Sequence, residues 1–557
     1  MSRNVHSGKI MNQINQKMSN EILPTLNTHQ AQLKNEIAKR RTFAIISHPD
    51  AGKTTLTEKL LLYSGMIRTA GMVRGRKSGK FAVSDWMGME QERGISITAS
   101  AMQFEYQNII INVLDTPGHQ DFSEDTYRTL TAADSAVMVI DAAKGVEAQT
   151  RKLFEVCHLR KIPVLTFINK MDLPSRDPLD LLSEVEQVLQ IQSSPLNWPI
   201  GSGQQFKGVV DLISEQCMVF EKSVAGGAKP ALIQNFSLQD EKLKKLLSFQ
   251  ELNQLQQEMR LLKEAGNPFR QDLFLRGEIT PVFFGSALTN FGLEPFFDAF
   301  IHLAPPPGIR LARTLDGQEI QVHPVNNSFS AYVFKLQTNM NPHHCDSMAF
   351  LRICSGRFEK DLIVKHIRLN RQMRLSQPSS LIARERNSLL EAFPGDIIGV
   401  MNSGLFQIGD TVLTDAVFEF PPLPQFQPEV FAVVRPIEIS KRKSFDKGLE
   451  LLILEGTVQL LKRLDDLEIY VAAVGSLQFD VLKFRLKHEF GVEIDIQLLP
   501  FKCSAWLIGD PNSFQKPSQS LVVKDFKNRL IVLFSNPWEK DYAQSKNPHH
   551  QLLDMII

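Results

Sequence analysis

The decisive stretch of this 557-residue sequence is Ser47-His48-Pro49-Asp50-Ala51-Gly52-Lys53-Thr54. It follows the apolar run Phe43–Ile46, which predicts a short buried strand. Apolar residues then recur at helical spacing from Leu56 to Tyr63. A loop that joins a buried strand to a helix directs backbone N–H groups and the positive end of the helix dipole at an anion. The stretch therefore predicts an α/β fold with a phosphate-binding loop.

Two side chains of this loop have the chemistry that a nucleotide requires. Lys53 is placed to reach the β- and γ-phosphates, and the Thr54 hydroxyl is placed to bind magnesium. Ser47 occupies the position where the strict GxxxxGK[ST] pattern has its first glycine. An ordinary strand–turn–helix with a surface lysine is the alternative for this segment taken alone.

A second segment, Asp115-Thr116-Pro117-Gly118-His119, follows the apolar strand pattern Ile109–Leu114. Open α/β sheets bind ligands at the carboxyl ends of their strands, so Asp115 is expected to hold magnesium, usually through water. The Gly118 amide is expected to contact the γ-phosphate of a nucleotide, and His119 to orient an attacking water, the role that a glutamine has in GTPases. Because proline and glycine favour turns, a simple turn is the alternative.

A third segment, Asn169-Lys170-Met171-Asp172, follows the apolar run Val164–Ile168. The Asp172 carboxylate matches the paired N–H donors on N1 and N2 of guanine, which adenine lacks. Asn169 is expected at the N7/O6 edge of the base, with the Lys170 stem over the ring. Farther along, Ser286-Ala287-Leu288, preceded by Gly285, is expected to support the base. The four segments in this order predict a switch that binds GTP or GDP and hydrolyses GTP.

The region between the first two segments is expected to change with the bound nucleotide. Arg68–Lys80 is basic and contains no acidic residue, so it is attracted to phosphate or is a solvated loop. Farther on, Ser96 and Thr98 each carry a hydroxyl that can bind magnesium when the γ-phosphate is present. The residues themselves do not choose between these two.

The residues around these motifs carry a family resemblance. They read ISHPDAGKTT, SDWMGMEQERGISIT, DTPGHQDFSEDTYRTL, MVIDAAKGVEAQT, WPIGSG and ITPVFFGSALTNFG. With them, the sequence from about Ala38 onward resembles the peptide chain release factor three family, bacterial translational GTPases related to elongation factor G. The resemblance assigns the magnesium-sensing hydroxyl to Ser96, where translational GTPases in general have threonine.

The resemblance also implies an activity and partners. It implies a ribosome-dependent GTPase of translation termination that promotes dissociation and recycling of class-one peptide chain release factors after peptide release. The family expectation is that RNA of the large ribosomal subunit activates His119, so intrinsic hydrolysis should be slow. A translocase like elongation factor G, another ribosome-associated GTPase and a non-catalytic GTP-binding scaffold are the alternatives. Elongation factor G continues for two further domains past the point where this chain stops, and we expect this difference to argue against a translocase.

Proline-rich segments suggest how the chain is divided. Ala304–Gly308 reads as a stiff linker that closes the nucleotide domain, and Pro421–Pro428 as a second break. We predict a P-loop GTPase domain at 38–308 with an inserted subdomain at about 197–280. A β-barrel is expected at 309–420 and a C-terminal α/β (α+β) domain at 429–557. Residues 1–37, polar and poor in apolar periodicity, are expected to be a disordered extension, although their first 20 contain no acidic residue, as in transit peptides.

Composition limits the remaining possibilities. No stretch of 18 apolar residues occurs, so we expect no membrane-spanning helix, and the net charge is +1. We also expect a cytoplasmic monomer with no membrane or DNA partner. The five cysteines form no CxxC pair, which favours a reducing compartment. Four adjacent potential ligands, His343-His344-Cys345-Asp346, are interpreted as a polar loop because neighbouring residues rarely converge on one ion.

Overall fold

The computed structural model describes residues 30–67, 99–221, 229–338, 347–375, 379–382, 385–388, 390–423, 425–463 and 469–556. The secondary structure falls into three groups along the chain: a mostly parallel sheet with an inserted antiparallel sheet, then two larger antiparallel sheets. Among the described helices, none has the length and apolar character needed to cross a membrane.

The helices lie mainly in the first and last groups. They are α1 (30–38), α2 (Lys53–Tyr63), α3 (Ser123–Ala132), α4 (Ala148–Leu159), α5 (Pro178–Leu189), α6 (Glu241–Leu246), α7 (Phe249–Ala265), α8 (Gln271–Leu275), α9 (Leu293–Leu303), α10 (Arg442–Leu454), α11 (Leu477–Phe490) and α12 (Pro537–Lys546). Short 3₁₀ turns are also present, at Gln120–Phe122, Gly203–Gln205 and Ile439–Lys441.

The strands of the first group are β1 (Arg40–Ser47), β2 (Ser100–Tyr106), β3 (Ile109–Asp115), β4 (Ser135–Asp141), β5 (Val164–Asn169), β6 (Gln192–Pro195), β7 (Asn197–Ile200), β8 (Gly208–Asp211), β9 (Gln216–Phe220), β10 (Ile233–Ser237) and β11 (Ile279–Phe284). The second group contains β12 (Arg310–Thr314), β13 (Glu319–Val322), β14 (Ser330–Thr338), β15 (Ser347–Ser355), β16 (Phe358–Glu359), β17 (Ile363–His366), β18 (Arg371–Arg374), β19 (Ser379–Ile382), β20 (Glu385–Ser388), β21 (Glu391–Ala392), β22 (Ile397–Met401), β23 (Thr411–Leu413) and β24 (Phe418–Glu419). The last group contains β25 (Gln425–Phe426), β26 (Val430–Pro436), β27 (Gln459–Arg463), β28 (Ile469–Ala473), β29 (Ile494–Leu498), β30 (Cys503–Ile508), β31 (Leu521–Asp525), β32 (Leu530–Phe534), β33 (Gln551–Leu553) and β34 (Met555–Ile556).

The first sheet has seven strands in the order β2-β3-β1-β4-β5-β11-β6. All neighbours pair in parallel except β2, which runs antiparallel to β3. Its central strands are nearly continuous apolar runs because helices cover both faces. Phe43 packs against Phe300 of α9, with ring centroids 4.4 Å apart. The three strands predicted from apolar runs are confirmed as β1, β3 and β5.

A smaller sheet interrupts the first one between β6 and β11. Its order is β10-β9-β8-β7, and all of its pairs are antiparallel. Helix α7 packs on it, and the Trp198 indole N–H donates to Glu258 Oε2 at 2.7 Å. The predicted insert at about 197–280 covers these elements, and its limits stay a prediction.

The second group is built on an eight-stranded antiparallel sheet in the order β18-β17-β23-β14-β15-β22-β19-β20. It encloses a core of its own that includes Val333, Leu351 and Ile398. The β-barrel predicted at 309–420 covers this group of strands, and its limits stay a prediction.

The third group is an eight-stranded antiparallel sheet in the order β29-β26-β28-β27-β31-β32-β30-β33. Helix α11 ends at Gly491, whose φ of 67° lies in the left-handed region that glycine adopts without strain. The mixed α/β character predicted for this part of the chain is confirmed, because the sheet is accompanied by α10, α11 and α12.

Buried charges join the first two groups. Asp134 accepts from Arg310 at 2.8 Å and from Arg352 at 2.5 Å, and Arg40 pairs with Asp396 at 2.8 Å. Burial lowers the pKa of Arg310, but the Asp134 charge outweighs burial, so its pKa is raised. The first sheet and the second sheet therefore meet through these ion pairs.

Two segments differ from the sequence-based expectation. The predicted disorder through residue 37 is wrong for residues 30–37, which belong to helix α1. Leu33 and Ile37 lie one turn apart on α1 and are buried against Phe393, so a local apolar pair anchors an otherwise polar helix. The predicted break at 421–428 contains β25, which pairs with β34 near the end of the chain.

Candidate nucleotide site

Polar residues end four parallel strands at one edge of the first sheet. Ser47 ends β1, Asp115 ends β3, Asp141 ends β4 and Asn169 ends β5. Their order in the sheet is β3-β1-β4-β5, so these residues lie side by side. This is the edge at which open α/β sheets bind ligands.

The loop before α2 depends on a glycine. Gly52 has a φ of 99°, and a Cβ atom at this position would lie 2.2 Å from Nδ2 of Asn169. Helix α2 begins at the next residue, Lys53, and has no side-chain cap at its N-terminus. The first N–H groups of α2 therefore have no side-chain acceptor, which is the arrangement that receives a phosphate.

Lys53 and Asp115 form a buried pair beneath this loop. Lys53 Nζ lies 2.6 Å from Asp115 Oδ1, and the two residues are 6% and 2% exposed. The second carboxylate oxygen, Asp115 Oδ2, is buried and has no hydrogen-bond partner in the described part of the chain. The same holds for the Ser47 hydroxyl. Since unpaired buried oxygens are costly, this arrangement fits a ligand that supplies a cation, water or phosphate.

Asn169 links two of the predicted segments. Its Nδ2 donates to the Ala51 carbonyl at 2.8 Å, and its Oδ1 accepts from the Ala287 N–H at 2.8 Å. Asn169 thus holds the phosphate-binding loop and the base-supporting loop at a fixed separation. Ser286 and Ala287 are buried, whereas Leu288 is 45% exposed.

The other residues of the third segment differ in how they are held. Lys170 has a φ of 69°, and its Nζ lies 2.8 Å from Asp141 Oδ2. Burial raises the pKa of Asp141, but its hydrogen bonds to Lys170 and to the Ala143 N–H outweigh this, so the pKa is lowered. The Met171 N–H donates to the Gly285 carbonyl at 3.1 Å. Within the described residues, the half-buried Asp172 carboxylate makes no hydrogen bond or ion pair, so it is available for a base.

The second segment packs against the phosphate-binding loop. The Thr116 hydroxyl donates to the Ile45 carbonyl at 2.6 Å, which fixes the end of β3 to β1. A Cβ atom on Gly118 would lie 3.5 Å from the Pro49 backbone, so the two loops are in close contact. The structure therefore brings the first three segments and the Ser286–Leu288 loop together at one edge.

His119 is placed by the next turn. The Asp121 N–H donates to His119 Nδ1 at 3.3 Å, and the ring lies edge-on to Phe122 with centroids 6.3 Å apart. The side chain is 34% exposed, and in the described part of the chain no group bonds to Nε2. This free nitrogen is the atom that can contact a water.

Asp121 connects this turn to the third group of elements. Its Oδ2 accepts from the Leu477 N–H at the start of α11, at 2.7 Å. Phe122 and Val481 are buried together beside this bond. Asp121, two residues after His119, therefore contacts the third group of elements directly.

Three contributors were missed by sequence reasoning. Asp141 and Asp121 are described above, and Glu147 Oε1 lies 3.3 Å from Nε2 of His48. Asp141 was detectable because it ends an apolar strand, as Asp115 and Asn169 do. Asp121 and Glu147 have their partners, Leu477 and His48, in distant segments of the chain. A local sequence pattern therefore could not identify these two residues. Ser96, Thr98, the stretch 68–80 and the cluster 343–346 lie outside the described residues.

Comparisons with known proteins agree with this geometry. The family model described as the elongation factor Tu GTP binding domain matches residues 38–306. The model of elongation factor G domain 2 matches residues 328–415, and that of the class II release factor RF3 C-terminal domain matches residues 420–544. The order of the three models is that of the three groups of elements.

Whole-chain relatives decide the family. Peptide chain release factor 3 of Trichodesmium erythraeum is 49% identical over 528 residues, covering 94% of this chain and 96% of the relative. The chain belongs to the peptide chain release factor 3 family. The release factors 3 of Trichormus variabilis and of a Synechocystis species are each 50% identical, over 94% and 91% of this chain and 97% and 92% of the relatives.

Release factor 3 membership confirms the predicted family and fold class: a GTPase domain with an insert, a β-barrel and a C-terminal α/β domain. A solved crystal structure from Thermus thermophilus is similar with a TM-score of 0.66 over 87% of this chain and 72% of that chain. At 20% identity, that similarity concerns the fold alone. The chain is a GTPase of translation termination that binds GTP and GDP.

Proposed function

We propose that this chain uses GTP binding and hydrolysis on the ribosome to release class-one peptide chain release factors after peptide release. The main observation that supports this proposal is that the four predicted segments converge at one edge of the sheet in a chain of this family. The free Asp172 carboxylate supports a preference for guanine, and the cradle at Gly52 supports binding of the phosphates. We also propose that the chain acts as a monomer in the cytoplasm.

The nucleotide contacts are assigned to the predicted residues. Residues 47–54 bind the phosphates, residues 115–119 contact the γ-phosphate side, residues 169–172 bind the guanine, and Ser286, Ala287 and Leu288 support it. The hydrogen bonds of Asn169 to Ala51 and Ala287 support this assignment, because they join the phosphate and base sides of the site.

Magnesium fits the same edge. The buried, unpaired Asp115 Oδ2 is an oxygen of the kind that Mg²⁺ or its bound water prefers. We assign the ion to Thr54 and Asp115, with Ser96 as the hydroxyl that joins in the GTP state. When bound, the ion neutralises charge on the β- and γ-phosphates. Lys53, already buried beside Asp115, adds a second positive charge at the phosphates.

His119 is assigned as the residue that orients the attacking water. Its Nδ1 is held by the Asp121 N–H, so the ring presents Nε2. Among the described residues, no arginine forms a hydrogen bond or ion pair with His119. We assign the activation of His119 to RNA of the large ribosomal subunit, outside the chain. Activation in trans is worth about 10³–10⁵ in rate in other GTPases.

A release assay tests the proposal. Post-release ribosomes carrying a labelled class-one factor are mixed with this protein and GTP, GDP or a non-hydrolysable GTP analogue. GTP should eject the factor within one turnover, and the analogue should leave this protein bound. The proposal would be overturned if GTP ejects the factor no faster than GDP does. It would also be overturned if GTP instead moves the messenger RNA by one codon.

A further inference from the structure

The third sheet has two faces with different coverings. Strand register shows which residues share a face: Leu460 pairs with Val471, Lys462 with Lys524, and Val522 with Val532. Val471 lies in the core beneath α10 and α11, and Val532 lies in the core beneath α12. Because directly paired residues point to the same face, both helix layers cover one face of this sheet.

Strands β27 and β31 lie between those two helix layers. The opposite-pointing residues Leu461 and Val523 are buried in the core of the other face. Leu460 and Val522 are half-buried at the edges of the helix layers, while Lys462 and Lys524 are exposed. Among the described residues, no helix covers the middle of this face, and Lys462 and Lys524 form an exposed strip there, the Lys462–Lys524 strip.

The two lysines are opposed directly across the strand pair. Directly opposite Cβ atoms in antiparallel strands are separated by about 4.5–5.5 Å, and like charges at this spacing destabilise a sheet. Within the described residues, neither ammonium has a carboxylate within the 4.0 Å of an ion pair. Among the described residues, the sheet therefore holds two directly opposed positive charges that form no ion pair.

We propose that the Lys462–Lys524 strip is a contact surface for the phosphate backbone of RNA. Phosphate groups spaced along a backbone match a pair of ammonium groups held by adjacent strands, and each contact releases condensed counterions. Lysine contacts of this kind position a protein without reading base sequence. The inference rests on the proposed function, since the ribosome is the RNA that such a protein meets.

The first test is the salt dependence of ribosome binding. The affinity of the full chain with a non-hydrolysable GTP analogue is measured at several salt concentrations. Each lost phosphate contact reduces the slope of log K against log salt by about 1, so Lys462→Gln/Lys524→Gln should reduce it by about 2. The matched control removes two exposed lysines of the insert, Lys242→Gln/Lys245→Gln. An unchanged slope in the first variant, or an equal reduction in the control, would overturn the proposal.

The melting temperature of the variant distinguishes a lost RNA contact from a damaged fold. Because the substitution removes a like-charge pair, the melting temperature of the variant should be equal to or above that of the unmodified protein. A lower melting temperature would contradict the description of the pair as unfavourable in the free protein. If the unmodified protein itself does not bind ribosomes, the proposed function fails, and that result is distinct from failure of the strip alone.

The second test identifies the partner. Four cysteines, 157, 217, 354 and 503, are buried, so Cys345→Ser gives a background for attaching an iron chelate at Lys524→Cys. Hydroxyl radicals from this position should cut ribosomal RNA, whereas the same probe at Lys245→Cys should give a different pattern or none. A reduced salt slope without RNA cleavage from position 524 would instead assign the strip to an acidic protein and overturn the RNA proposal.

Discussion

At the scale of single residues, His119 is the group with the most direct chemical role. Replacement by alanine removes Nε2 while the phosphate and base contacts remain. We expect His119→Ala to bind GTP normally and to lose about 10²–10⁴-fold in ribosome-stimulated hydrolysis. Single-turnover hydrolysis and the equilibrium binding of a fluorescent GTP analogue measure the two effects. His158→Ala, at an exposed histidine of α4, is the control, and full stimulated turnover by His119→Ala would exclude the assigned role.

Asp172 sets the choice of base at the same scale. Its carboxylate makes no bond within the described residues, so its whole accepting capacity is available to guanine N1 and N2. Asp172→Asn opposes an amide N–H₂ to the base donors and should cost about 1–3 kcal/mol of GTP binding. Xanthine has a carbonyl at that position, and binding of xanthosine triphosphate should improve. Competition binding of the two nucleotides checks this, with Asp180→Asn as control; unchanged GTP affinity would remove Asp172 from the site.

At the scale of elements, the strand ends were the most predictable part of the molecule. Apolar runs followed by Asp115, Asn169 or the loop at Ser47 identify parallel strands and their ligand edge without any long-range information. The short helix α1 was missed because its buried face consists of only Leu33 and Ile37 among polar residues. The pairing of β25 with β34 was also missed, since a two-residue strand in a proline-rich segment has no periodicity to detect.

The second sheet contains an element-scale charge cluster with a predictable pH response. His366 on β17 and Arg368 both bond to Asp410, which precedes β23, at 3.0 and 2.6 Å. Burial raises the pKa of Asp410, but the bonds from Arg368 and His366 outweigh it, so the pKa is lowered. A lowered carboxyl pKa stabilises the fold above the unfolded value of about 3.9, and this stabilisation is lost as the pH falls through the folded value.

Asp410→Asn therefore should destabilise the second sheet most at neutral pH. The difference in melting temperature between the unmodified protein and the variant should stay constant from about pH 7 to about pH 5 and shrink as the pH falls below about 4. Thermal melts across this range, followed by circular dichroism, measure it. Asp415→Asn, at an exposed aspartate beyond β23, is the control. A difference that stays constant or grows as the pH falls below about 4 would contradict the assigned pKa direction.

At the scale of the whole molecule, long-range polar contacts link the nucleotide site to the other two domains. Asp121, two residues after His119, accepts a hydrogen bond from the Leu477 N–H at the start of α11. The γ-phosphate side of the site is therefore in direct contact with the C-terminal group of elements. Asp134 bonds to Arg310 and Arg352 and joins the first sheet to the second. Motif reading could not find these partners, because each pair is separated by well over a hundred residues and only the assembled fold brings them together.

Substitution of Asp134 tests whether these ion pairs hold the nucleotide domain and the second sheet together. Arg352 is 1% exposed, so Asp134→Ala would leave its buried guanidinium and that of Arg310 without a counter-charge. Removing one partner of a buried ion pair costs about 3–5 kcal/mol. We expect calorimetry of Asp134→Ala to show separate transitions for the nucleotide domain and the second sheet where the unmodified protein melts them together. Asp316→Ala, at an exposed turn of the same second group, should melt as the unmodified protein does. Joint melting of Asp134→Ala at an unchanged temperature would show that apolar packing, rather than these charges, holds the two domains as one body.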